Sequence, residues 1–179
     1  WYNFADGKMS TGFTYLKDQN KTVYYDKNGH MLYGWQKLNG ATYYFDTVTG
    51  EMAKGQKNIN GHWYNFADGK MSTGFTYLKD QHKTVYYDKN GHMLYGWQKL
   101  NGATYYFDTV TGEMAKGQKH LGKYWYNFDA NGKMSIGFTD IKDQHKTVYY
   151  DKDGRMLYGN QTIAGKKYYF NPFTGALKK

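Results

Sequence analysis

The chain has 179 residues, including 21 Tyr, one Pro and no Cys, and its formal net charge is +9. An aromatic share of 20% is far above average usage, and because no long apolar run interrupts the polar, Gly-rich sequence, we expect no membrane span. The positive charge is nearly all Lys, with Arg155 the single arginine, and it is scattered rather than gathered in a run, which argues against nucleic-acid binding.

A six-residue frame, G-x-M-x-x-G, recurs along the whole chain. Its second glycine falls at Gly12, Gly34, Gly55, Gly74, Gly96, Gly117, Gly137 and Gly159, so each repeat is 19 to 22 residues long. Residues 1–57 match residues 63–119 at every position except Asn20, which is His82 in the second copy. A long period of 62 residues therefore contains three short repeats.

Each repeat has the pattern of a β-hairpin. In the repeat that begins at Gly34, one extended run ends at Asn39-Gly40, the favoured two-residue hairpin turn, and a Thr- and Tyr-rich run follows. Other repeats replace this turn with a longer polar loop such as KDQNK. We expect a single repeat module over 1–179, with a partial hairpin at 1–11 and hairpins at 12–33, 34–54, 55–73, 74–95, 96–116, 117–136, 137–158 and 159–179.

Period-two alternation predicts which face of each second strand is buried. One face is always apolar or aromatic, as with Tyr43 and Phe45, and we expect it to form the core. The opposite face is mixed and suited to solvent or ligand. On the first strands the fourth residue after each Gly is aliphatic, and with the Met of each frame these residues are expected to form a spine: Leu16, Leu38, Ile59, Leu78, Leu100, Leu121, Ile141 and Ile163.

Stacking of hairpins follows from their marginal stability. An isolated two-stranded hairpin is barely stable in water, so each must bury its apolar face on its neighbours. We therefore expect an all-β solenoid of consecutive hairpins, with about three per superhelical turn and no helix longer than about two turns. Residues 62 apart, such as Trp35 and Trp97, then lie on the same side, one turn apart.

These residues carry a family resemblance. The segments GWQKLNGATYYFDTVTGEMAKG and GNQTIAGKKYYFNPFTGALKK resemble the cell-wall-binding repeats of choline-binding surface proteins, glucansucrases and large clostridial toxins. The resemblance covers the entire chain and is closest in character to the glucan-binding repeats of glucansucrases. It implies a non-catalytic hairpin solenoid, monomeric as a module, that attaches a secreted or wall-bound bacterial protein to a polysaccharide, either an α-glucan or a wall glycan.

The choline-binding branch implies a box of two Trp side chains around a quaternary ammonium, held by cation–π attraction. This sequence breaks the box. Where Trp35 follows the repeat glycine, Thr42 opens the second strand, and where Trp63 opens the second strand, Gln56 follows the glycine. The same holds one long period later. A cage between successive hairpins, built from Trp35, Trp63 and a Met, remains an alternative, and with it a choline- or teichoic-acid-binding anchor.

The glucan-binding branch implies a stacking aromatic ring helped by Gln, Lys and Thr side chains. The second residue after each repeat glycine is polar and in phase with the aliphatic spine, so it should point inward and need a partner. A sugar hydroxyl and a neighbouring backbone carbonyl are both open as that partner. The candidate ligand-binding residues are Trp35, Gln36, Tyr44, Lys57, Trp63, Trp97, Gln98, Tyr106, Lys119 and Trp125.

Catalytic and metal-binding patterns are missing from the sequence. The only glutamates, Glu51 and Glu113, occupy the variable slot of the frame, and the aspartates sit in turns such as YDKNG, where capping explains them. The histidines show no H-E-x-x-H spacing. We expect no enzyme activity, no metal and no cofactor.

Two further expectations concern partners and context. The excess of positive charge favours attraction to anionic wall polymers. Adhesion to a protein is a third class of function open to an aromatic solenoid. The chain opens directly in WYNF without a signal peptide, so we expect a fragment of a larger protein.

Overall fold

A computed structural model describes residues 1–178, which form an all-β architecture. The described residues divide into two compact units: the first comprises Trp1–Tyr77 and Tyr86–Met93, and the second comprises Leu78–Val85 and residues 94–178. The helical segments of the described residues are three single-turn 3₁₀ helices, Lys17–Gln19, Lys79–Gln81 and Lys142–Gln144. The expected all-β class and the expectation of no long helix are therefore confirmed for these residues.

The strands follow the repeats. In chain order they are β1 (Phe4–Ala5), β2 (Lys8–Met9), β3 (Gly12–Leu16), β4 (Lys21–Tyr25), β5 (Gly34–Leu38), β6 (Ala41–Phe45), β7 (Gly55–Ile59), β8 (His62–Ala67), β9 (Lys70–Met71), β10 (Gly74–Leu78), β11 (Lys83–Tyr87), β12 (Gly96–Leu100), β13 (Ala103–Phe107), β14 (Gly117–Leu121), β15 (Tyr124–Phe128), β16 (Gly137–Ile141), β17 (Lys146–Tyr150), β18 (Gly159–Ile163) and β19 (Lys166–Phe170). Neighbouring strands pair as antiparallel hairpins, and the first strand of each full hairpin begins at the repeat glycine.

Two kinds of turn close the hairpins. Between β5 and β6, Asn39 and Gly40 have φ angles of 49° and 79°, the two positive values of a type I′ turn, which matches the strand twist and which Asn-Gly adopts at low cost. Between β3 and β4, the 3₁₀ turn Lys17–Gln19 ends at Asn20, whose φ of 48° lies in the left-handed region. Both kinds follow the sequence prediction.

The core of each unit lies on the face that alternation predicts. Val23, Phe45 and Phe66 are buried, as are the tyrosines two residues from them on the same strand faces. The aliphatic spine is only partly buried: Ile59, Leu78 and Ile141 are enclosed, whereas the other five aliphatic members are half-exposed, although all eight end their strands beside the turns. Aromatic rings, not the aliphatic residues, therefore supply most of the core.

The G-x-M-x-x-G frame joins one hairpin to the next. Met52 packs against Gly69 of the following frame so closely that a Cβ at Gly69 would lie 2.5 Å from the Met52 sulfur, and Met9 fits against Gly29 in the same way. The backbone N–H of Met52 also donates to the carbonyl oxygen of Thr22 in the preceding hairpin, at 2.8 Å. Each frame thus fastens consecutive hairpins of a unit into the stack of a β-solenoid. The angle per hairpin and the relation of Trp35 to Trp97 stay predictions.

The contact between Met52 and Gly69 gives a testable stability difference. Gly69 and Gly40 both hold the second position of a turn, with φ angles of 82° and 79°, but no atom lies within 4 Å of a Cβ built at Gly40. We expect Gly40→Ala to cost about 1–2 kcal/mol of unfolding free energy through backbone strain alone. Gly69→Ala should cost about 1–3 kcal/mol more, because Met52 must be displaced. Urea unfolding measures both, and equal losses would refute the packing role.

Candidate functional site

Trp35 and Trp97 cover the core of the next hairpin. The ring centroid of Trp35 lies 4.9 Å from that of Tyr44, its cross-strand partner, and 4.8 Å from that of Tyr64 in the following hairpin. In the second unit Trp97 makes the same contacts with Tyr106 at 5.1 Å and with the following hairpin. About two-fifths of each Trp side chain remains exposed. These two predicted residues therefore combine packing between hairpins with an open ring edge.

Gln36 and Gln98 bind the backbone. Each is half-buried, and each donates its side-chain N–H to a carbonyl oxygen three residues earlier, Tyr33 for Gln36 and Tyr95 for Gln98, at 2.7 Å. Of the two partners left open by the sequence, the geometry thus supplies the backbone carbonyl. These amides hold the chain where it enters a hairpin.

Lys57 and Lys119 do not point into the core. Both are exposed, although their positions are in phase with the buried face, because a long Lys stem carries its charged end out to water. Lys57 lines a cavity of about 460 Å³ together with Tyr44 and Glu51. The prediction of an inward-pointing residue is therefore wrong for these two lysines.

Trp125 lies in a different setting, an open cleft of the second unit with a volume of about 520 Å³. We call it the Trp125 cleft. It is lined by Gln118, Trp125 and Asn127 from one hairpin, by Asp140–Gln144 and Lys146 from the next, and by Met156, Phe173 and Thr174. Trp125 is 39% exposed, and its ring meets His120 at a centroid distance of 5.2 Å. The cleft therefore presents an aromatic ring beside amide, ammonium and carboxylate groups.

Gln118 organises the polar part of this cleft. Its side-chain N–H donates to the Tyr150 hydroxyl oxygen at 2.8 Å and approaches the Met156 sulfur at 3.6 Å, while its oxygen accepts from the Gln144 amide at 3.0 Å. Burial raises the pKa of Tyr150, which keeps its hydroxyl protonated. Gln118 stands directly after the repeat glycine, the position at which the resemblance to choline-binding proteins implies one Trp of an aromatic box.

The first unit contains a second version of the cleft, the Trp1 cleft, of about 610 Å³. Its lining residues occupy corresponding sequence positions and include Trp1, Asn3, Leu16, Lys17–Gln19, Lys21, Met31, Val48 and Thr49. The Gln118 contacts also recur in this unit, where Gln56 donates to the Tyr87 hydroxyl oxygen at 2.9 Å and approaches the Met93 sulfur at 3.7 Å. The cleft and the glutamine network thus each recur in the first unit, although Gln56, Tyr87 and Met93 do not line the Trp1 cleft.

Comparison with known sequences places these repeats in a family. The family model described as a choline-binding repeat matches residues 11–56, 78–118 and 135–179. The chain belongs to the choline-binding repeat family. Among curated proteins it is similar to glucosyltransferase-S of Streptococcus mutans, with 36% identity over 158 residues, or 82% of this chain and 10% of that protein. Glucosyltransferase-I of Streptococcus downei is 29% identical over 95% of this chain and 11% of that protein. The chain spans about a tenth of the length of these relatives.

Solved structures with choline-binding repeats share the fold. Choline binding protein F of Streptococcus pneumoniae is 30% identical, with a TM-score of 0.83 over 96% of this chain and 58% of that one. CbpJ of the same species is 26% identical, with a TM-score of 0.81 over 99% of this chain and 70% of that one. The hairpin stacking described above is therefore shared with proteins of this family.

The Trp125 cleft contains one of the candidate residues predicted from the sequence, Trp125, and several polar residues that were not predicted. Gln118, Gln144 and Lys146 lie outside the predicted set, because the sequence pattern points to the polar residue two positions after each repeat glycine. The available signal was the triplet Lys-Asp-Gln, which recurs at 17–19, 79–81 and 142–144. Trp63 is an exposed candidate whose carbonyl oxygen accepts from the N–H of Met93 at 2.9 Å.

The carboxylates of this choline-binding repeat chain serve mainly in turns. The Asp46 side chain accepts hydrogen bonds from the backbone N–H groups of Thr49 and Val48. These bonds hold the pKa of Asp46 below its usual range, and the bond from Thr49 has the larger effect. Asp108 is held in the same way. Within residues 1–178, no group of three or more His, Cys, Asp and Glu side chains is arranged to hold a metal ion. Over the same residues, no helix has the length and apolar character needed to cross a membrane.

Proposed function

We propose that the chain is a non-catalytic carbohydrate-binding module that attaches a secreted bacterial protein, in the medium or at the cell wall, to a polysaccharide. An α-glucan is the favoured ligand. The single observation that carries this proposal is the Gln118 network beside Trp125, because it places a hydrogen-bonding amide where a quaternary-ammonium box needs a second aromatic wall.

The chemistry of the Trp125 cleft suits a sugar ring. A pyranose has an apolar face that stacks on an indole and a rim of hydroxyls that need donors and acceptors. Trp125 supplies the flat surface, the amides of Gln118 and Gln144 supply donors and acceptors, and Asp140 adds a carboxylate. In ligand-binding sites, a few placed polar groups beside aromatic side chains fix the orientation of the ligand.

The relatives support the same class of ligand. The glucosyltransferases similar to this chain are, by name, enzymes that transfer glucose, which agrees with a module that holds a glucan. Because the chain covers only about a tenth of each relative, the chemistry of such a transfer belongs to other parts of those proteins in this proposal. The module itself retains the polymer.

Choline or teichoic acid is the second candidate. It is favoured by the exposed edges of Trp35 and Trp97 beside tyrosine rings, and by the likeness to choline binding protein F. The lysines would add attraction to anionic wall polymers, which weakens with salt on the scale of the Debye length. A neutral glucan bound by stacking should respond little to salt.

A competition experiment separates these candidates. The chain should bind dextran, should bind it more tightly than a short isomalto-oligosaccharide because several sites act on one polymer, and should keep this binding at high salt and in millimolar choline. Calorimetric titration with each ligand measures the affinities. Displacement by choline, or binding only to purified walls at low salt, would assign the module to the second candidate. Retention by a protein receptor but by no glycan would indicate protein adhesion instead.

A further inference from the structure

The Trp1 and Trp125 clefts differ in two places: Tyr15 stands where the second unit has Asp140, and one exposed turn has a different sequence. In the first unit the turn that borders the cleft reads Asp46-Thr47-Val48-Thr49, and in the second it reads Asn171-Pro172-Phe173-Thr174. Val48 is therefore replaced by an aromatic ring at the edge of the Trp125 cleft. Phe173 is 90% exposed, so its ring makes almost no contribution to packing of the fold.

The backbone that carries Phe173 is held in place. The Asn171 side-chain oxygen accepts the N–H groups of Phe173 and Thr174, each at 2.9 Å, and the Lys146 ammonium donates to the Thr174 carbonyl oxygen at 2.8 Å. The turn in the first unit has the same bonds, made by Asp46 and Lys21. The two clefts thus present different side chains from equally anchored backbones.

The other two changes in this turn also favour a ligand-binding ring. Pro172, the only proline of the chain, fixes its own φ and reduces the freedom of the turn before any ligand arrives. Asn171 keeps the turn-capping bonds but carries no charge, unlike Asp46. Phe173 is consequently an uncharged apolar ring on an anchored backbone, and it lines the same cleft as Trp125.

We propose that the Trp125 cleft is the dominant glycan site of the chain and that Phe173 determines its affinity by stacking on a second sugar ring of the polymer. This inference rests on the proposed function and adds that the two clefts bind the polymer with different affinities. Trp125 holds one pyranose, Phe173 contacts a neighbouring one, and Asp140 and Gln144 bind hydroxyls between them. The Trp1 cleft, with Val48 at this position and Tyr15 in place of Asp140, binds the same polymer more weakly.

Reciprocal exchange of the two side chains tests the proposal. Affinity for a defined isomalto-oligosaccharide of six glucose units is measured by calorimetry for the full chain and for Phe173→Val, Phe173→Tyr and Val48→Phe. We expect Phe173→Val to weaken binding about tenfold, Phe173→Tyr to retain it because the ring is kept, and Val48→Phe to strengthen it. Both positions are exposed, so thermal unfolding should not change in any of the three variants.

The outcomes separate this inference from the proposed function. Unchanged affinity of Phe173→Val, or no gain for Val48→Phe, would overturn the role of Phe173 while the full chain still binds the sugar. Loss of binding by Phe173→Tyr as well as Phe173→Val would also contradict a stacking role. If the unsubstituted chain binds no glucan at all, the proposed function itself fails, and this inference fails with it.

Discussion

Replacing Phe170 by Ala should destabilise the folded chain by about 3–5 kcal/mol, the largest stability effect we expect from a single substitution. Phe170 is fully buried in the second unit, where its ring centroid lies 6.4 Å from the ring centroids of both Phe138 and Tyr168. Removing the ring leaves a cavity that short, loop-bounded strands have little freedom to fill. Urea unfolding, followed by tryptophan fluorescence and circular dichroism, measures the loss.

Phe173→Ala is the matched control for this substitution. It removes the same side chain three residues later, from a position that is almost wholly exposed, so the unfolding free energy should stay within about 0.5 kcal/mol of the original value. Similar losses for the two variants would show that the core is not where the structure places it.

Trp125→Ala should weaken binding of a short isomalto-oligosaccharide about tenfold, because the flat ring on which the sugar stacks is removed while the polar network of Gln118 remains. The fold should persist, since the backbone bond from the Met156 N–H to the Trp125 carbonyl oxygen does not depend on the side chain. Calorimetric titration measures the affinity, and thermal unfolding checks the fold.

Tyr169→Ala is the control for that experiment. Tyr169 is an aromatic residue of the second unit with 40% exposure, close to that of Trp125, but it does not line the Trp125 cleft. Its removal should leave the sugar affinity unchanged. If Tyr169→Ala weakens binding as much as Trp125→Ala, the sugar is held by scattered surface aromatics and not by the cleft.

Local patterns were sufficient to predict the hairpins and their buried faces. The Asn39-Gly40 turn has the φ angles that its sequence demands, and Phe45 is buried on the face given by alternation. Both features are decided within about a dozen residues by backbone sterics and by the two-residue period of a strand. For that reason they can be predicted from a single sequence.

The polar part of the candidate site could not be predicted from the sequence in the same way. Gln36 and Gln118 are both amides near a repeat glycine, yet Gln36 binds a carbonyl three residues away, whereas Gln118 binds Tyr150 and Met156, 32 and 38 residues away. Which glutamine has which partner depends on where the following hairpins lie, and no local period encodes that placement. The aromatic wall was predictable, and its hydrogen-bonding complement was not.

The most direct test of the account follows the indole N–H resonance of Trp125 by NMR in the full chain, with the resonance assigned through Trp125→Phe. The chain is titrated with an isomalto-oligosaccharide and, separately, with choline. We expect a saturable shift of the Trp125 resonance with the sugar and none with choline. A saturable shift with choline, with the resonance unmoved by the sugar, would contradict it.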